Sequence, residues 1–268
     1  MRLVLGYLYP SVMSQYGDLG NVRAVVKRCQ WRGIDVEVSE LEVGDRVDPD
    51  RVDLFLIGGG ADAHQRHVCE DMLQVKGADI RHAVDDGAAA FAVCAGYQLW
   101  GHSYRTATGE DLPGLGIFDV HTIHRAAQTG TRLDTIRKAG SVRAVGNLVV
   151  QWGQRVLVGF ENHGGRTYLQ DGCKPLGKIL AGGGNNSEDG SEGCVYRNAV
   201  GTYMHGPAFP KNPALTDHLI QAALSRRYGD VALKPLDDGP EIVAHDRALE
   251  QATARPGRWR RLWSDGVG

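Results

Sequence analysis

The sequence predicts an α/β fold, a mostly parallel central sheet flanked by helices, with added antiparallel strands in the second half. Three observations carry this expectation. Short runs of branched apolar residues recur through the first half with little alternation, as in strands buried on both faces. Segments with helical spacing separate them. Glycine accounts for 36 of the 268 residues and gathers at the ends of the apolar runs, where open α/β sheets place backbone-lined sites.

Leu3–Leu8 is the first expected strand, and Tyr16-Gly-Asp-Leu-Gly-Asn21 reads as the loop after it. Val22, Val25, Val26 and Cys29 fall on one helical face, and Gly33 ends that helix. Ile34–Leu41 and Asp53–Ile57 are the next strands, the latter stopping at Gly58-Gly59-Gly60. A helix is expected within Glu70–Ala83. The small apolar run Ala88–Val93 then reads as a buried strand that stops at Cys94, and Tyr97-Gln-Leu-Trp100 begins a helix. In the second half Ile117–His124, Arg143–Gln151 and Arg155–Glu161 read as strands, with Trp152-Gly-Gln154 as a hairpin turn. Gly182–Ser191 is a polar loop, Val195–Met204 a last strand leading to His205, and Leu215–Leu224 a helix.

Composition narrows the function. Thirty basic against 32 acidic residues leave a formal charge of −2, which makes no electrostatic case for nucleic acid or an acidic membrane surface. No apolar run approaches the roughly 20 residues of a membrane span, and Met1-Arg-Leu-Val-Leu-Gly6 is too short for a signal peptide. Five cysteines, widely spaced and without a Cys-x-x-Cys pair, argue against a disulfide framework or a zinc site and fit a reducing cytoplasm. No metal site is expected.

The chemistry centres on Cys94. A nucleophile on a tight strand-to-helix turn is pushed out of the sheet beside N–H groups that favour an anionic sulfur. A lone cysteine is more often a buried core residue. Here the small flanking residues Ala95 and Gly96, expected to leave room for a substrate, favour the nucleophile. A thiolate attacking an amide also needs a base and an oxyanion site. His205, in Gly201-Thr-Tyr-Met-His-Gly-Pro207 at the end of an expected strand, is the candidate base, and His163 is its rival. Backbone N–H groups of Ala95 and of the Gly58-Gly59-Gly60 turn are the candidate oxyanion donors. A phosphate cradle competes for the triplet, but no Gly-x-x-x-x-Gly-Lys-Ser/Thr run exists in the chain. Arg143 is a candidate for holding a carboxylate.

Four segments in order, Gly58-Gly-Gly-Ala-Asp62, Val93-Cys-Ala-Gly-Tyr-Gln98, Gly159-Phe-Glu-Asn-His-Gly-Gly-Arg-Thr167 and Gly201-Thr-Tyr-Met-His-Gly-Pro207, resemble class I glutamine amidotransferases, a flavodoxin-like fold. The resemblance is to the cobyric acid synthase-like branch, and within it to glutaminase subunits acting on lipid II. It spans residues 1–228 as an amidotransferase domain. Residues 229–268 remain as a C-terminal extension, rich in Pro, Asp and Arg and basic at Arg255–Arg261, either solvated and partly disordered or docked on a partner.

The resemblance implies that Cys94 attacks the side-chain amide of L-glutamine and that His205 is the general base. It implies that Arg143 holds the α-carboxylate, with Gly59, Gly60, Ala95 and Gln98 completing the substrate site. It also implies a Mur-ligase-like partner, MurT, which uses ATP and Mg and reaches lipid II, while this chain carries no cofactor. One departure stands out. Class I relatives have a glutamate two residues after the histidine, where this chain has Pro207. The resemblance points to an acidic residue of the partner to orient His205, with Glu161 as an internal alternative. Amidation of a different, corrinoid-type acceptor, a thiol peptidase and a non-catalytic binding protein on the same scaffold are the competing readings.

Overall fold

The computed structural model describes residues 1–14, 17–60, 62–129 and 143–254. Tyr16, Ala61 and Arg255–Arg261 of the expectations above lie outside them.

Six strands form the central sheet, in the order β13-β14-β4-β3-β1-β2. β1 (Arg2–Leu8), β2 (Asp35–Leu41), β3 (Leu54–Ile57), β4 (Ala89–Val93) and β14 (Ala199–Thr202) run parallel, while β13 (Cys194–Tyr196) lies antiparallel to β14 at the edge. Every residue of β3, β4 and β14 is buried, which explains their unalternating apolar sequence. α1 (Leu19–Gln30) crosses from β1 to β2. α6 (Pro213–Tyr228) packs on β1, β3 and β4, and buries Leu215, Leu219, Ile220, Ala223 and Leu224.

The helix expected within Glu70–Ala83 is longer. α2 (Asp62–Asp71) runs through a π-turn, Met72–Lys76, into α3 (Gly77–Asp85). The wide turn accompanies a fully buried Lys76, whose ammonium contacts Asp71 at 2.5 Å while Tyr9 donates to the same carboxylate at 2.8 Å. The expected strand Val195–Met204 is instead the β13–β14 hairpin. The chain reverses at Arg197-Asn198, with Arg197 in the left-handed region at φ 51°. Apolar content alone does not reveal such a reversal.

Two smaller sheets hold the added strands. β5 (Ser103–Arg105), β6 (Asp111–Pro113), β7 (Val120–His124) and β10 (Gly165–Leu169) form one, in the order β10-β7-β5-β6. β8 (Ala144–Trp152), β9 (Arg155–His163), β11 (Gly177–Ala181) and β12 (Ser191–Glu192) form the other, fully antiparallel, in the order β12-β11-β8-β9. β8 and β9 are joined by the expected tight turn, with Trp152 paired to Arg155. Short α4 (Ala95–Trp100) and α5 (Arg125–Thr129) follow β4 and β7.

Beyond residue 229 the chain is ordered through α7 (Gly239–Thr253). Arg28, 3% exposed at its side chain, binds Asp217 at 2.7 Å and Asp238 at 2.6 Å, tying α1, α6 and the start of α7 together. His245 on α7 meets the Lys211 carbonyl at 2.8 Å. Among the described residues no helix is long and apolar enough to cross a membrane.

Candidate active site

Four neighbouring parallel strands deliver the site from their C-terminal ends. β14 leads three residues on to His205, β4 to Cys94, β3 to Gly58-Gly59-Gly60, and β1 through its following loop to Asp18. Val93 is in register with Thr202, and the Cys94 N–H donates to the Thr202 carbonyl at 2.8 Å, so nucleophile and histidine emerge side by side. His205 is clamped from the other side by a two-bond bridge to Phe160 on β9.

Cys94 sits at φ 53°, ψ −106°, a conformation L-residues seldom adopt, at the junction of β4 and α4. The turn projects its side chain out of the strand end while leaving it 8% exposed. Gly96 is small for a reason other than substrate access. A β-carbon there would lie 2.7 Å from Ile57 Cγ2, so glycine lets the elbow close on β3.

The thiol of Cys94 lies within hydrogen-bonding reach of the His205 ring. On its other nitrogen, His205 Nδ1 faces Asp18 Oδ1 at 3.4 Å. Burial pushes the imidazole pKa down, but Cys94 and Asp18 outweigh it and hold the value up to about 10. Its two neighbours therefore favour the charged form of the ring.

Asp18 was legible only as a loop residue. A carboxylate of this chain, Asp18, thus faces the ring that Pro207 leaves without a local acid. Glu161, the internal alternative, is engaged elsewhere, since its oxygens accept from the N–H groups of Gly183 at 2.6 Å and Gly184 at 2.9 Å and face His163 at 3.6 Å. His163 itself is structural. Its Nδ1–H donates to the Gly165 carbonyl at 2.8 Å and its ring stacks on Tyr203 at 3.6 Å. Burial pushes its pKa below the ordinary histidine value.

The glycine triplet is a cradle for the side chains of His205, Asp18 and Met13. A β-carbon on Gly59 would stand 2.7 Å from His205 Cε1, one on Gly58 2.7 Å from Asp18 Oδ2, and one on Gly60 would overlap the sulfur of Met13. The Gly59 N–H donates to Asp18 Oδ2 at 2.7 Å, so it is not the oxyanion donor expected of it. Ala95, first residue of α4, keeps a backbone N–H beside the nucleophile that no bond within the helix engages. Gln98 braces the site from behind. Its amide donates to Tyr203 Oη at 3.2 Å and accepts from Gln65 at 3.4 Å.

Arg143 is held by Asn162, through its side-chain oxygen at 2.9 Å and its carbonyl at 2.8 Å. It lines a cavity of about 360 Å³ with Arg125, Arg166, Glu161 and Asn186. Cys94 and His205 do not line this cavity. Asn162 lies two residues along β9 from Phe160, the residue bridged to His205. Among the described residues no group of three His, Cys, Asp or Glu is placed to hold a metal ion.

Residues 4–213 match the model of the CobB/CobQ-like glutamine amidotransferase domain. The chain belongs to this amidotransferase family. It is 35% identical to the GatD subunit of the glutamine-hydrolyzing lipid II isoglutaminyl synthase of Staphylococcus aureus, over 95% of this chain and 99% of that protein. The GatD subunit of Streptococcus pneumoniae is 33% identical over 95% of this chain and 92% of its own length. Cobyric acid synthase of Streptococcus sanguinis is 28% identical, but the match spans only 37% of that longer protein. A chain in the solved structure of PurLQS from Thermotoga maritima superposes with a TM-score of 0.51 at 13% identity, over 84% of this chain and 99% of that one, a likeness of fold. The amidotransferase fold is thus the α/β architecture anticipated, with its antiparallel additions in the second half.

Proposed function

We propose that this amidotransferase is the glutaminase subunit of a lipid II isoglutaminyl synthase. The observation that carries the reading is the juxtaposition of Cys94 and His205 at the ends of adjacent strands, on a chain that matches GatD subunits over 95% of its length.

The Cys94 sulfur attacks the side-chain amide carbon of L-glutamine, and the oxyanion is met by the Ala95 N–H, with Gly60 in the turn opposite. The His205 imidazolium gives its proton to the leaving nitrogen, so ammonia departs and a γ-glutamyl thioester remains. The neutral ring then takes a proton from water, whose oxygen attacks the thioester. Collapse releases glutamate and returns Cys94 and the protonated ring to their starting state. Arg143, anchored on β9, holds the α-carboxylate of glutamine.

Ammonia passes to a Mur-ligase-like partner, MurT, which uses ATP and Mg to activate the D-glutamate α-carboxylate of the lipid II stem peptide. In this reading the work is done in the cytoplasm, at the inner face of the membrane. The match to cobyric acid synthase over a third of its length makes a corrinoid acceptor the second reading. Coexpression with a Mur-ligase-like protein, followed by glutamine-dependent amidation of a lipid-linked stem peptide, tests the first. Labelling of Cys94 by diazo-oxo-norleucine without such amidation favours the second, and absence of labelling favours a non-catalytic protein.

A further inference from the structure

Pro207 occupies the position where class I relatives carry the glutamate that orients the histidine. In this fold the same position serves another purpose. A β-carbon on Gly20 would overlap the Pro207 ring, and Gly17, at φ 84°, would meet it at 3.8 Å. The proline is thus the floor on which the Gly17-Asp18-Leu19-Gly20 turn rests. Asp18, 3% exposed, is aimed from that turn at both His205 Nδ1 and the Gly59 N–H.

We infer that Asp18 is the positioning carboxylate of His205, supplied by this chain from the loop between β1 and α1, so that the orientation of the histidine does not depend on a partner. The inference deepens the glutaminase reading and rests on it for its kinetic consequence. The division of labour on the carboxylate is specific. Oδ2 accepts from Gly59 and pins the group, leaving Oδ1 for the imidazole. With Nδ1–H directed to Asp18, Nε2 is the nitrogen presented to Cys94, which is the tautomer the proton relay needs. The competing reading is that Asp18 only braces the glycine triplet. Asp18→Asn separates the two, because an amide oxygen still accepts from Gly59 while its NH₂ cannot accept from Nδ1–H.

The experiment measures glutamine hydrolysis by wild type, Asp18→Asn and Asp18→Glu, each alone and with the Mur-ligase-like partner. Folding is checked by circular dichroism, and the pH profile of Cys94 alkylation by iodoacetamide is recorded in parallel. In Asp18→Asn we expect kcat to fall about 10²-fold or more with KM changed less than about threefold, both alone and in the complex. The alkaline limit of the imidazolium-assisted alkylation should move to lower pH, and Asp18→Glu should recover part of kcat. Wild-type kcat and alkylation profile in Asp18→Asn overturn the inference. So does a loss in the isolated variant that the partner restores, since the acid would then come from the partner. If Asp18→Asn does not fold, proton NMR of the wild type decides. A far-downfield His205 Nδ1–H resonance that disappears in His205→Gln supports the inference, and its absence overturns it. A wild type that releases no ammonia from glutamine, alone or with partner, sinks the glutaminase reading, while the NMR signal still reports on the Asp18–His205 pairing.

Discussion

Gly20 and Pro207 stand so close that any side chain on the glycine would overlap the proline ring. A ring cannot swing aside as a flexible side chain can, so the contact fixes the Asp18 loop against the segment carrying His205. Gly20→Ala is therefore expected to cost about 1–3 kcal/mol of stability by overpacking. It should also lower kcat for glutamine hydrolysis more than it raises KM. Thermal melts and steady-state kinetics of the variant check both, and a wild-type melt would show the loop to be compliant.

Cys94 combines a chemical demand with a backbone penalty. Its φ of 53° is tolerated by glycine and disfavoured for any residue with a β-carbon. Cys94→Ala and Cys94→Gly should both abolish ammonia release. The glycine variant should nevertheless be the more stable, by roughly 0.5–1 kcal/mol, because relief of the left-handed strain exceeds the entropy glycine adds to the unfolded chain. Denaturant titrations of the two variants give the comparison directly, and an alanine variant that outlasts the glycine one contradicts it.

Glu192 lies fully buried beneath the site. Thr202 Oγ1 donates to its Oε1 at 2.6 Å and the Tyr203 N–H at 2.7 Å. Burial raises its pKa to about 7. The folded protein thus holds this proton more tightly than the unfolded chain, so the contribution is complete below the ordinary glutamate value and fades as pH rises toward 7. Glu192→Gln keeps the acceptor and removes the charge. It should raise the melting temperature at pH 8 and change it little at pH 5, and an equal shift at both values would remove Glu192 from the account.

Arg28 is the knot between α1, α6 and the C-terminal segment. Arg28→Met should destabilise by about 2–3 kcal/mol, below the ~3–5 of a fully buried pair because Asp217 and Asp238 each keep 25% side-chain exposure. It should also release α7, seen as faster limited proteolysis after residue 229. Unchanged cleavage would mean that the His245 contact and local packing hold α7 without Arg28.

In the proposed reaction Arg143 binds the substrate's α-carboxylate and takes no part in the bond changes. Arg143→Ala should raise the glutamine KM by an amount equivalent to roughly 1.5–3 kcal/mol while leaving kcat near wild type. A variant that saturates with glutamine like the wild type would return Arg143 to its surface cavity beside Asn162.

Much of this protein follows from the order of its residues alone. Unalternating apolar runs determine β1, β3 and β4, since only strands buried on both faces can afford no polar side. The elbow at Cys94 was legible for the same local reason: a strand that stops before two small residues turns into a helix there. His205 was legible from its place at a strand end. The β13–β14 reversal was not, because apolar content carries no mark of it, and the π-turn around Lys76 and the docking of α7 were not, because they involve Tyr9, Arg28 and Lys211, distant in sequence.

The glycine triplet shows the boundary most sharply. Locally, Gly58-Gly59-Gly60 is equally a phosphate cradle, an oxyanion loop or a turn. Only the packed sheet brings His205, Asp18 and Met13 against it and shows which atoms need the missing side chains. Asp18 lies 187 residues from the ring it faces, and no spacing rule links the two. Chain order therefore determined where the candidate nucleophile and its histidine sit on their strands, and tertiary packing decided which carboxylate faces the ring, because a carboxylate's influence on an imidazole falls with distance through space, not along the backbone.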